Sequence, residues 1–383
     1  MPKSRKIIFF VVFYILNAGI NFYIFLRGFE AMELHPGLRV IYGIVFLIIS
    51  NTFIAGRILE KRFISIISDV FIWIGSFWFA FILYFFLSAV LFDLARLVDL
   101  FIHFLPEGDG YSKLKFYLMV ADIGLIGIIC LFGFLNAQKI RVKKLEFLID
   151  KKNSIANELT IAVASDIHLG TINGRGFSKK IVETINSLNP DIILLPGDIL
   201  DGDVEPVIKL NLGEVLRQLK SKYGVYAITG NHEYIGGVEP SVNYISDHGI
   251  QVLRDETIDV AGMTIIGRED RSINTFAHHN RKTIEELAIG IDSSKPILVM
   301  DHQPFHLEEA VSIGADVQLS GHTHNGQLWP LNFITSKVYE LSWGYLKKGN
   351  THIYVSCGAG TWGPPMKIGN VAEILEIRMK FLA

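Results

Sequence analysis

Four long apolar stretches in the first part of the chain constrain its fold more than any other feature. They cover residues 7–26, 40–56, 70–92 and 116–135, with lengths of 20, 17, 23 and 20 residues. A helix needs about 17 to 25 apolar residues to cross a bilayer. A cleaved signal peptide is the alternative for the first stretch, but 20 residues are long for its apolar core and no small-x-small cleavage site follows. We therefore predict a bundle of about four transmembrane helices within residues 1–138.

The positive charges beside these stretches predict their orientation. If the four stretches cross the membrane, both ends of this region lie on the same side. Twelve lysine and arginine residues flank the stretches on that side, and five flank them on the other side. Because positive residues near membrane spans stay in the cytoplasm, both chain termini are expected there. The rest of the chain is then the cytoplasmic part of an integral plasma-membrane protein, with membrane lipids as its neighbours.

Two polar features of the membrane region are singled out. From Asp93 to His103, polar residues recur at helical spacing among Leu, Val and Phe, which predicts a helix lying in the membrane interface. Asp122 lies within the fourth stretch, where an ionisable group either faces the inside of the bundle or serves an ion or proton path. Both interpretations of Asp122 stay open at this point.

The remainder of the chain has a different character. Of the 27 Phe residues, 22 lie at or before Phe147, whereas 10 of the 12 His residues lie at or after His168. From Thr160 on, the apolar runs IAVAS, IILLP, VYAIT, PILVM, VQLS and IYVS alternate with amphipathic, helix-like segments. Uninterrupted apolar runs are typical of strands covered on both faces. We predict a juxtamembrane linker at 139–157 and an α/β sandwich over 158–383, with antiparallel additions near its end.

Charge and cysteine content exclude several classes of partner and site. The net charge of -2 gives no overall field that would attract nucleic acid, so no nucleic-acid partner is expected. Only two cysteines, Cys130 and Cys357, are present, which excludes a disulfide framework and a cysteine-rich zinc module.

A cluster of polar residues follows each of five apolar runs. The carboxyl ends of strands in an open α/β sheet meet at one crevice, so these clusters can converge in space. Together they supply carboxylates, imidazoles and an amide oxygen, a mixture that suits Mn, Fe or Zn better than Mg or Ca. The polar residues are Asp166, His168, Asp198, Asn231, His232, Glu233, His302, His322 and His324.

The motifs that contain these residues carry a family resemblance. DxH, GDxxD, GNHE, HxP and GHTH occur in this order and resemble the five blocks of the calcineurin-like metallophosphoesterase superfamily, over residues 158–378. The stretches GHTHNGQLWP and YVSCGAGTWGPPMKIGN resemble the subgroup with membrane-attached or exported members. The resemblance implies two β-sheets flanked by helices, which agrees with the sandwich predicted from the apolar runs.

The resemblance also implies two divalent metal ions and a role for each ligand. Asp198 would bridge the two ions, and His232 would face the scissile phosphate and assist the leaving group. The implied ligands are Asp166, His168, Asp198 and His324 for one ion, and Asp198, Asn231, His302 and His322 for the other.

Physical chemistry supports this assignment independently. Two cations a few ångströms apart acidify a shared water to hydroxide, clamp phosphoryl oxygens and neutralise the charge of an in-line transition state. Alternate residues of an extended segment point to the same side, as DxH and HTH require. The subgroup resemblance implies hydrolysis of a phosphodiester or pyrophosphate bond, as in lipid-linked nucleotide sugars. The short distance between the last apolar stretch and the first ligands favours a phospholipid or lipid-linked substrate, with soluble nucleotides as the alternative.

Residues near the motifs are predicted to support the ligands, face solvent or contact the substrate. Asp201 is expected to support the Asn or His ligands, and Glu233 to begin a helix or support a ligand. His278 and His279 are expected to face solvent. Lys367, with His232 and Asn231, is the predicted substrate contact; it stands where Arg is frequent in the subgroup, and Lys lacks the bidentate fork of Arg.

Two further functions remain as alternatives. In one, the sandwich is a metal-stabilised scaffold or sensor and the membrane helices act as a small transporter, with Asp122 as its support. In the other, the chain is a protein phosphatase, which the fold permits.

Overall fold

The computed structural model describes residues 3–276 and 279–382, including all their side chains except those of 3–10 and 13. The chain divides into two compact units, Met1–Phe134 and Leu135–Ala383.

Over its described residues, the first unit consists of four helices. Three of them, α2, α3 and α4, are long and apolar enough to cross a membrane; α1 is not among them over the described residues. Three candidate spans are therefore present, and the predicted span at 7–26 stays a prediction. The helices are α1 (Lys3–Ala31), α2 (Pro36–Arg62), α3 (Ile66–Ile102) and α4 (Asp109–Ala137), which runs into the second unit.

The predicted interfacial helix does not form as a separate element. Residues from Asp93 on continue α3 without a break to Ile102, because this segment contains no Gly or Pro. The helix ends where His103 adopts a left-handed backbone conformation with φ 54°. Asp93 accepts hydrogen bonds from Tyr23 (2.6 Å) and Arg27 (2.6 Å) of α1.

The second unit is built on two six-stranded mixed sheets. Their strand orders are β1-β12-β2-β3-β4-β5 and β10-β11-β9-β8-β7-β6. The strands are β1 (Ile140–Lys152), β2 (Glu158–Val163), β3 (Ile192–Pro196), β4 (Val225–Ile228), β5 (Gln251–Leu253), β6 (Glu256–Val260), β7 (Met263–Gly267), β8 (Ile297–Met300), β9 (Val317–Ser320), β10 (Gly344–Lys348), β11 (Thr351–Val355) and β12 (Ala372–Leu382).

Short helices connect these strands. Two 3-10 helices lie at Leu212–Gln218 and His324–Gly326. The α-helices are α5 (Arg175–Ser187), α6 (Val204–Lys209), α7 (Asn231–Gly236), α8 (Val238–Asp247), α9 (Ile273–Phe276), α10 (Ile284–Leu287), α11 (Glu308–Ser312) and α12 (Asn332–Val338).

The main core lies between the two sheets. Ile161 and Leu194 of the first sheet share one buried cluster with Met300 and Leu319 of the second. Helices cover both outer faces, since α5 and α8 pack on the first sheet and α10 and α11 on the second. The predicted two-sheet sandwich is confirmed. Its antiparallel strands are β12 against β2, β10 against β11 and β6 against β7.

The predicted linker at 139–157 is wrong over most of its length. Its residues form β1, which pairs in parallel with β12 from Ile140 onward. Phe147 and Ile149 on one face of this strand are buried in the core between the sheets. The alternation of apolar and charged residues in IRVKKLEFLI is typical of a strand with one buried face. The segment is therefore part of the sandwich.

Candidate metal centre

The predicted ligand residues lie at the carboxyl ends of five strands. Asp166 and His168 follow β2, Asp198 follows β3, and His302 follows β8. Asn231 and His232 begin α7 just after β4, His322 follows β9, and His324 begins the second 3-10 helix. Three groups of these side chains have donor atoms within 4.8 Å of one another: Asp166, His168 and His324; His168, Asp198 and His232; and Asp198, His302 and His322.

The first group is compact and buried. The Nε2 atoms of His168 and His324 lie 3.0 Å apart, and His324 Nε2 lies 3.4 Å from Asp166 Oδ1. The Oδ2 atom of Asp198 lies 3.8 Å from His168 Nε2. Asp166 and His168 are 0% and 2% exposed. Asp198 thus lies beside this group, at a greater distance from His168 than His324 has.

The same aspartate joins the other side of the site. His302 Nε2 lies 3.2 Å from Asp198 Oδ2, and the backbone N–H of His232 donates to Asp198 Oδ1 at 2.8 Å. His322 Nδ1 lies 2.7 Å from the amide oxygen of Asn231. Asp198 therefore lies between the two sets of side chains that the sequence predicts as ligands.

Strained backbone turns aim these side chains inward. Five candidate ligands are non-glycine residues with positive φ: Asp166 (53°), His168 (48°), Asp198 (51°), His322 (72°) and His324 (46°). Each such residue costs about 1–3 kcal/mol and persists only where surrounding contacts fix it. Strain of this kind clusters at functional sites, so its concentration here marks the centre independently of any motif.

Burial keeps three of the imidazoles neutral. It lowers the pKa of His168 and His322 to about 3 in each case, and holds that of His324 well below its usual range. Charges on neighbouring imidazoles act in the same direction, His232 on His168 and His302 on His322. A neutral imidazole keeps a nitrogen lone pair, which is the form that binds a metal.

The carboxylate of Asp198 is held ionised. Burial opposes its charge, but His302 and His232 beside it outweigh that effect and keep the pKa of Asp198 well below the usual range. In return, the Asp198 charge outweighs burial at His302 and raises the pKa of this imidazole well above its usual value. Burial alone dominates at Asp166, whose pKa rises to about 7.

His232 is positioned by a second carboxylate. Its Nδ1 lies 3.2 Å from Asp201 Oδ1, so Asp201 supports His232 rather than one of the predicted ligands. Burial opposes protonation of His232, but the charges of Asp198 and Asp201 raise its pKa to about 9. The ring packs edge-on against His168 and Trp362, with centroids 4.5 and 6.1 Å away.

Glu233 serves as a structural anchor under the site. Its carboxylate accepts hydrogen bonds from the backbone N–H groups of Asp198 (3.1 Å), Leu200 (2.9 Å) and Gly230 (2.7 Å). These bonds tie the β3 and β4 loops together at the start of α7. Burial, with the nearby Asp198 charge, raises the pKa of Glu233 to about 7.

The donor set fits divalent cations. His324 Nε2 lies 3.0 Å from His168 Nε2 and 3.4 Å from Asp166 Oδ1, and all three side chains are buried. Burial keeps both imidazoles neutral, and a neutral imidazole can turn a nitrogen lone pair towards a cation bound in this space. Mixed imidazole and carboxylate donors suit Mn, Fe or Zn.

Lys367, the predicted substrate contact, is fully buried. The side chain is 0% exposed, and its Nζ donates to the carbonyl oxygens of Cys357 and Gly358. A Cβ at Gly358 would touch Asp166 and His324, so Lys367 holds a loop that lies directly against two candidate ligands. Of the two loop histidines, His279 is exposed as predicted, and His278 lies outside the described residues.

Sequence reasoning missed several residues that border the centre. Tyr339, at the end of α12, has its ring centroid 6.1 Å from that of His322. The Asn370 side chain donates to the His324 carbonyl at 2.6 Å. Trp362 lies against His232. Tyr339 lies outside every motif. Trp362 belongs to the stretch YVSCGAGTWGPPMKIGN, but its position beside His232 depends on how distant loops return to the site.

Comparison with known proteins identifies the family. A family model described as calcineurin-like phosphoesterase matches residues 159–326. An "Uncharacterized metallophosphoesterase" of Helicobacter pylori strain J99 is 32% identical over 289 residues, covering 73% of this chain and 74% of that protein. This chain belongs to the calcineurin-like metallophosphoesterases.

The name of a second relative combines a transmembrane protein with a metallophosphoesterase domain. The "Transmembrane protein with metallophosphoesterase domain" of Danio rerio is 30% identical, covering 71% of this chain and 65% of that protein. The family and the buried His and Asp groups make this metallophosphoesterase a metal-dependent hydrolase of phosphoester bonds. Its three apolar helices associate it with a membrane.

Proposed function

We propose that this metallophosphoesterase is a membrane-anchored, dinuclear hydrolase whose catalytic unit lies in the cytoplasm at the plasma membrane. The observation that carries the proposal is the central position of Asp198. Its carboxylate lies 3.8 Å from His168 and 3.2 Å from His302, between two sets of buried donors. A carboxylate can bridge two cations, whereas an imidazole cannot, so this position suits a pair of metal ions.

The proposed ligands follow from the two sets. Asp198 is shared, and the amide of Asn231 joins the second set through its 2.7 Å contact with His322. The first ion would be held by Asp166, His168, Asp198 and His324, and the second by Asp198, Asn231, His302 and His322.

The side chains divide the chemical work. When bound, two divalent ions supply Lewis acidity that activates water and neutralises charge on the transferring phosphoryl group. Asp201 orients His232 through Nδ1, which leaves Nε2 of the same ring to donate to a phosphoryl or leaving-group oxygen. The amide of Asn231 lies beside it as a further substrate contact. His232 and Asp198 are the proposed catalytic residues.

We propose a phosphodiester or pyrophosphate bond in a phospholipid or lipid-linked nucleotide sugar as the target. The support is the connection between the units: only Gln138 and Lys139 separate α4, a candidate membrane span, from β1 of the sandwich. A catalytic domain tethered this closely meets membrane-bound substrates at high effective concentration.

The test is hydrolysis of bis-p-nitrophenyl phosphate and p-nitrophenyl phosphate by the purified full chain with Mn²⁺. His232→Ala is expected to lower kcat by about 10²–10⁴-fold, the usual contribution of a general acid. Asp198→Asn is expected to abolish activity and reduce the bound metal, because it removes the shared ligand.

Matched controls replace the same residue types on the surface. Asp292→Asn and His306→Ala change exposed side chains and should leave activity unchanged. Full activity of Asp198→Asn, with metal bound at wild-type stoichiometry, would contradict the dinuclear assignment. Preference for the diester over the monoester would support the proposed bond type.

A further inference from the structure

An exposed apolar surface lies on and next to α12. We call Trp329, Phe333, Ile334 and Val338 the apolar rim; their exposures are 50%, 57%, 60% and 55%. Four large apolar side chains, each half exposed or more, within ten residues are unusual on the surface of a soluble domain. Such a patch indicates a surface that contacts something other than water.

The apolar rim borders the metal centre. The segment GHTHNGQ, which carries His322 and His324, leads directly into Trp329 and α12. At the other end of α12, Tyr339 packs near His322. Trp362, beside His232, is 55% exposed and extends the apolar surface across the site. Whatever covers the rim therefore lies at the edge of the catalytic centre.

The apolar rim also lies close to the point at which α4 enters the second unit. Asn136, in the last turn of α4, donates to the carbonyls of Lys367 (2.9 Å) and Asn370 (2.8 Å). In the same loop, the Ile368 carbonyl accepts from the Trp329 backbone at 2.8 Å. The loop that receives the end of a candidate membrane span thus also holds the first residue of the rim.

One more hydrogen bond connects this loop to the metal centre. Asn370, whose carbonyl accepts from Asn136, donates through its side chain to the carbonyl of His324. All these residues belong to the second unit, which begins at Leu135. The end of α4, the apolar rim and a candidate ligand therefore share one short network.

The chemistry of the surroundings suits a lipid headgroup region. Trp and Tyr concentrate at membrane–water interfaces, where their rings are apolar and their polar atoms stay wet. Lys337 on α12 is exposed, and a cationic side chain near a bilayer is attracted to anionic lipids. The rim thus combines apolar anchors with positive charge.

We propose that the apolar rim inserts into the interface of the bilayer that α4 spans, so that the metal centre faces phosphoester groups at the membrane surface. The occupant is a phospholipid bilayer containing anionic lipid. This contact requires α4 to span the membrane and does not depend on hydrolysis. It assigns to α12 a role in presenting substrate, outside the metal ligands.

Site-specific fluorescence tests the contact directly. The full chain is reconstituted in nanodiscs of phosphatidylcholine and phosphatidylglycerol, with the environment-sensitive NBD dye on Phe333→Cys. Ile289→Cys, at a position 80% exposed, is the matched control. Both native cysteines are buried, so the dye reacts at the introduced thiol. At 333 the emission should shift to the blue and be quenched by spin-labelled lipid, whereas the dye at 289 should be quenched by aqueous iodide.

Two outcomes would overturn the proposal. Equal iodide quenching at 333 and 289 would show that the rim faces water. Protection of the dye at 333 from both iodide and spin-labelled lipid would show that protein, such as a second copy of this chain, covers the rim instead. Neither reading requires an active enzyme, so a failure of the proposed hydrolase function is distinguished from a failure of this contact.

A kinetic comparison measures how the membrane contact affects hydrolysis of a lipid substrate. Phe333→Ser with Ile334→Ser should lower kcat/KM at least about tenfold on vesicles that contain a diacylglycerol p-nitrophenyl phosphodiester, because each lost apolar anchor weakens lipid contact. Hydrolysis of soluble bis-p-nitrophenyl phosphate should stay within twofold (about 0.4 kcal/mol) of wild type. Equal losses on both substrates, or none on vesicles, would contradict a role in membrane presentation. Ile289→Ser is the control.

Discussion

Gly230 is the residue whose small size the metal centre needs most directly. A Cβ at this position would overlap the carboxylate and backbone nitrogen of Asp198. Gly230→Ala should therefore displace Asp198 and lower metal-dependent hydrolysis at least about tenfold, the effect of roughly 1.4 kcal/mol in the barrier. The measurement is kcat/KM on bis-p-nitrophenyl phosphate, together with bound metal per chain.

Gly176 provides the matched control for this substitution. It lies in α5, its φ is not positive, and nothing lies within 4 Å of a Cβ built there. Gly176→Ala should keep full activity and add about 0.5–1 kcal/mol of stability, since Ala favours the helix. Equal loss of activity in both variants would show that the effect at Gly230 is not local.

For single residues, the sequence predicts the chemical role of a side chain better than the place that it takes in the structure. Asp166 and His168 are two residues apart, so their convergence follows from a local turn. The burial of Lys367 could not be predicted, because its two carbonyl partners are placed by the return of β12 into the first sheet. The support that Asp201 gives to His232 likewise depends on two separate loops.

Among the elements, β1 differs most from the sequence prediction, because it makes the segment after α4 part of the sandwich. Phe147 is 2% exposed and stacks on His352 of β11, whereas its neighbour Leu148 is 70% exposed. Phe147→Ala should lower the free energy of unfolding by about 3–5 kcal/mol. Leu148→Ala should change it by less than about 0.5 kcal/mol. Denaturant unfolding of the two variants measures the difference, and equal small effects would mean that β1 is not part of the folded core.

The partner of Phe147, His352, should make the sandwich sensitive to acid. Burial lowers the pKa of His352 below the value of 6.5 that it has when exposed. The folded state therefore favours the neutral imidazole, and its contribution to stability is complete above pH 6.5 and is lost as the pH falls below it. Between pH 7.5 and 5.5, His352→Gln should lose less stability than wild type, as measured by denaturant midpoints. An identical loss in both proteins would contradict this contribution.

How far the elements could be predicted depends on their burial pattern. Strands β2, β3, β8 and β9 are short, continuous apolar runs, and the structure places strands at each of them. β1 carries the alternation of a strand with one buried face, but its many basic residues directly after a candidate membrane span favour the prediction of a linker. β5 has only three residues and so carries too little pattern to recognise, and only its pairing with β4 reveals it.

For the whole molecule, the short connection between α4 and β1 is the feature with the widest consequence. Two residues separate α4 from β1, and the Asn136 side chain donates to the carbonyl of Asn370, whose own side chain donates to the carbonyl of His324. Under the proposed function, a connection this short keeps the sandwich beside the bilayer and so favours membrane-bound substrates.

The side of the membrane is predicted by the lysine and arginine count, and it can be measured on intact cells. Because the native cysteines are buried, single introduced cysteines report accessibility to a membrane-impermeant maleimide. Ile289→Cys, in the catalytic unit, should react only after permeabilisation. Glu107→Cys, in the exposed loop between α3 and α4, should react without it, since the charge count places this loop outside. The reverse pattern would place the metal centre outside the cell and make an extracytoplasmic lipid or wall polymer its substrate.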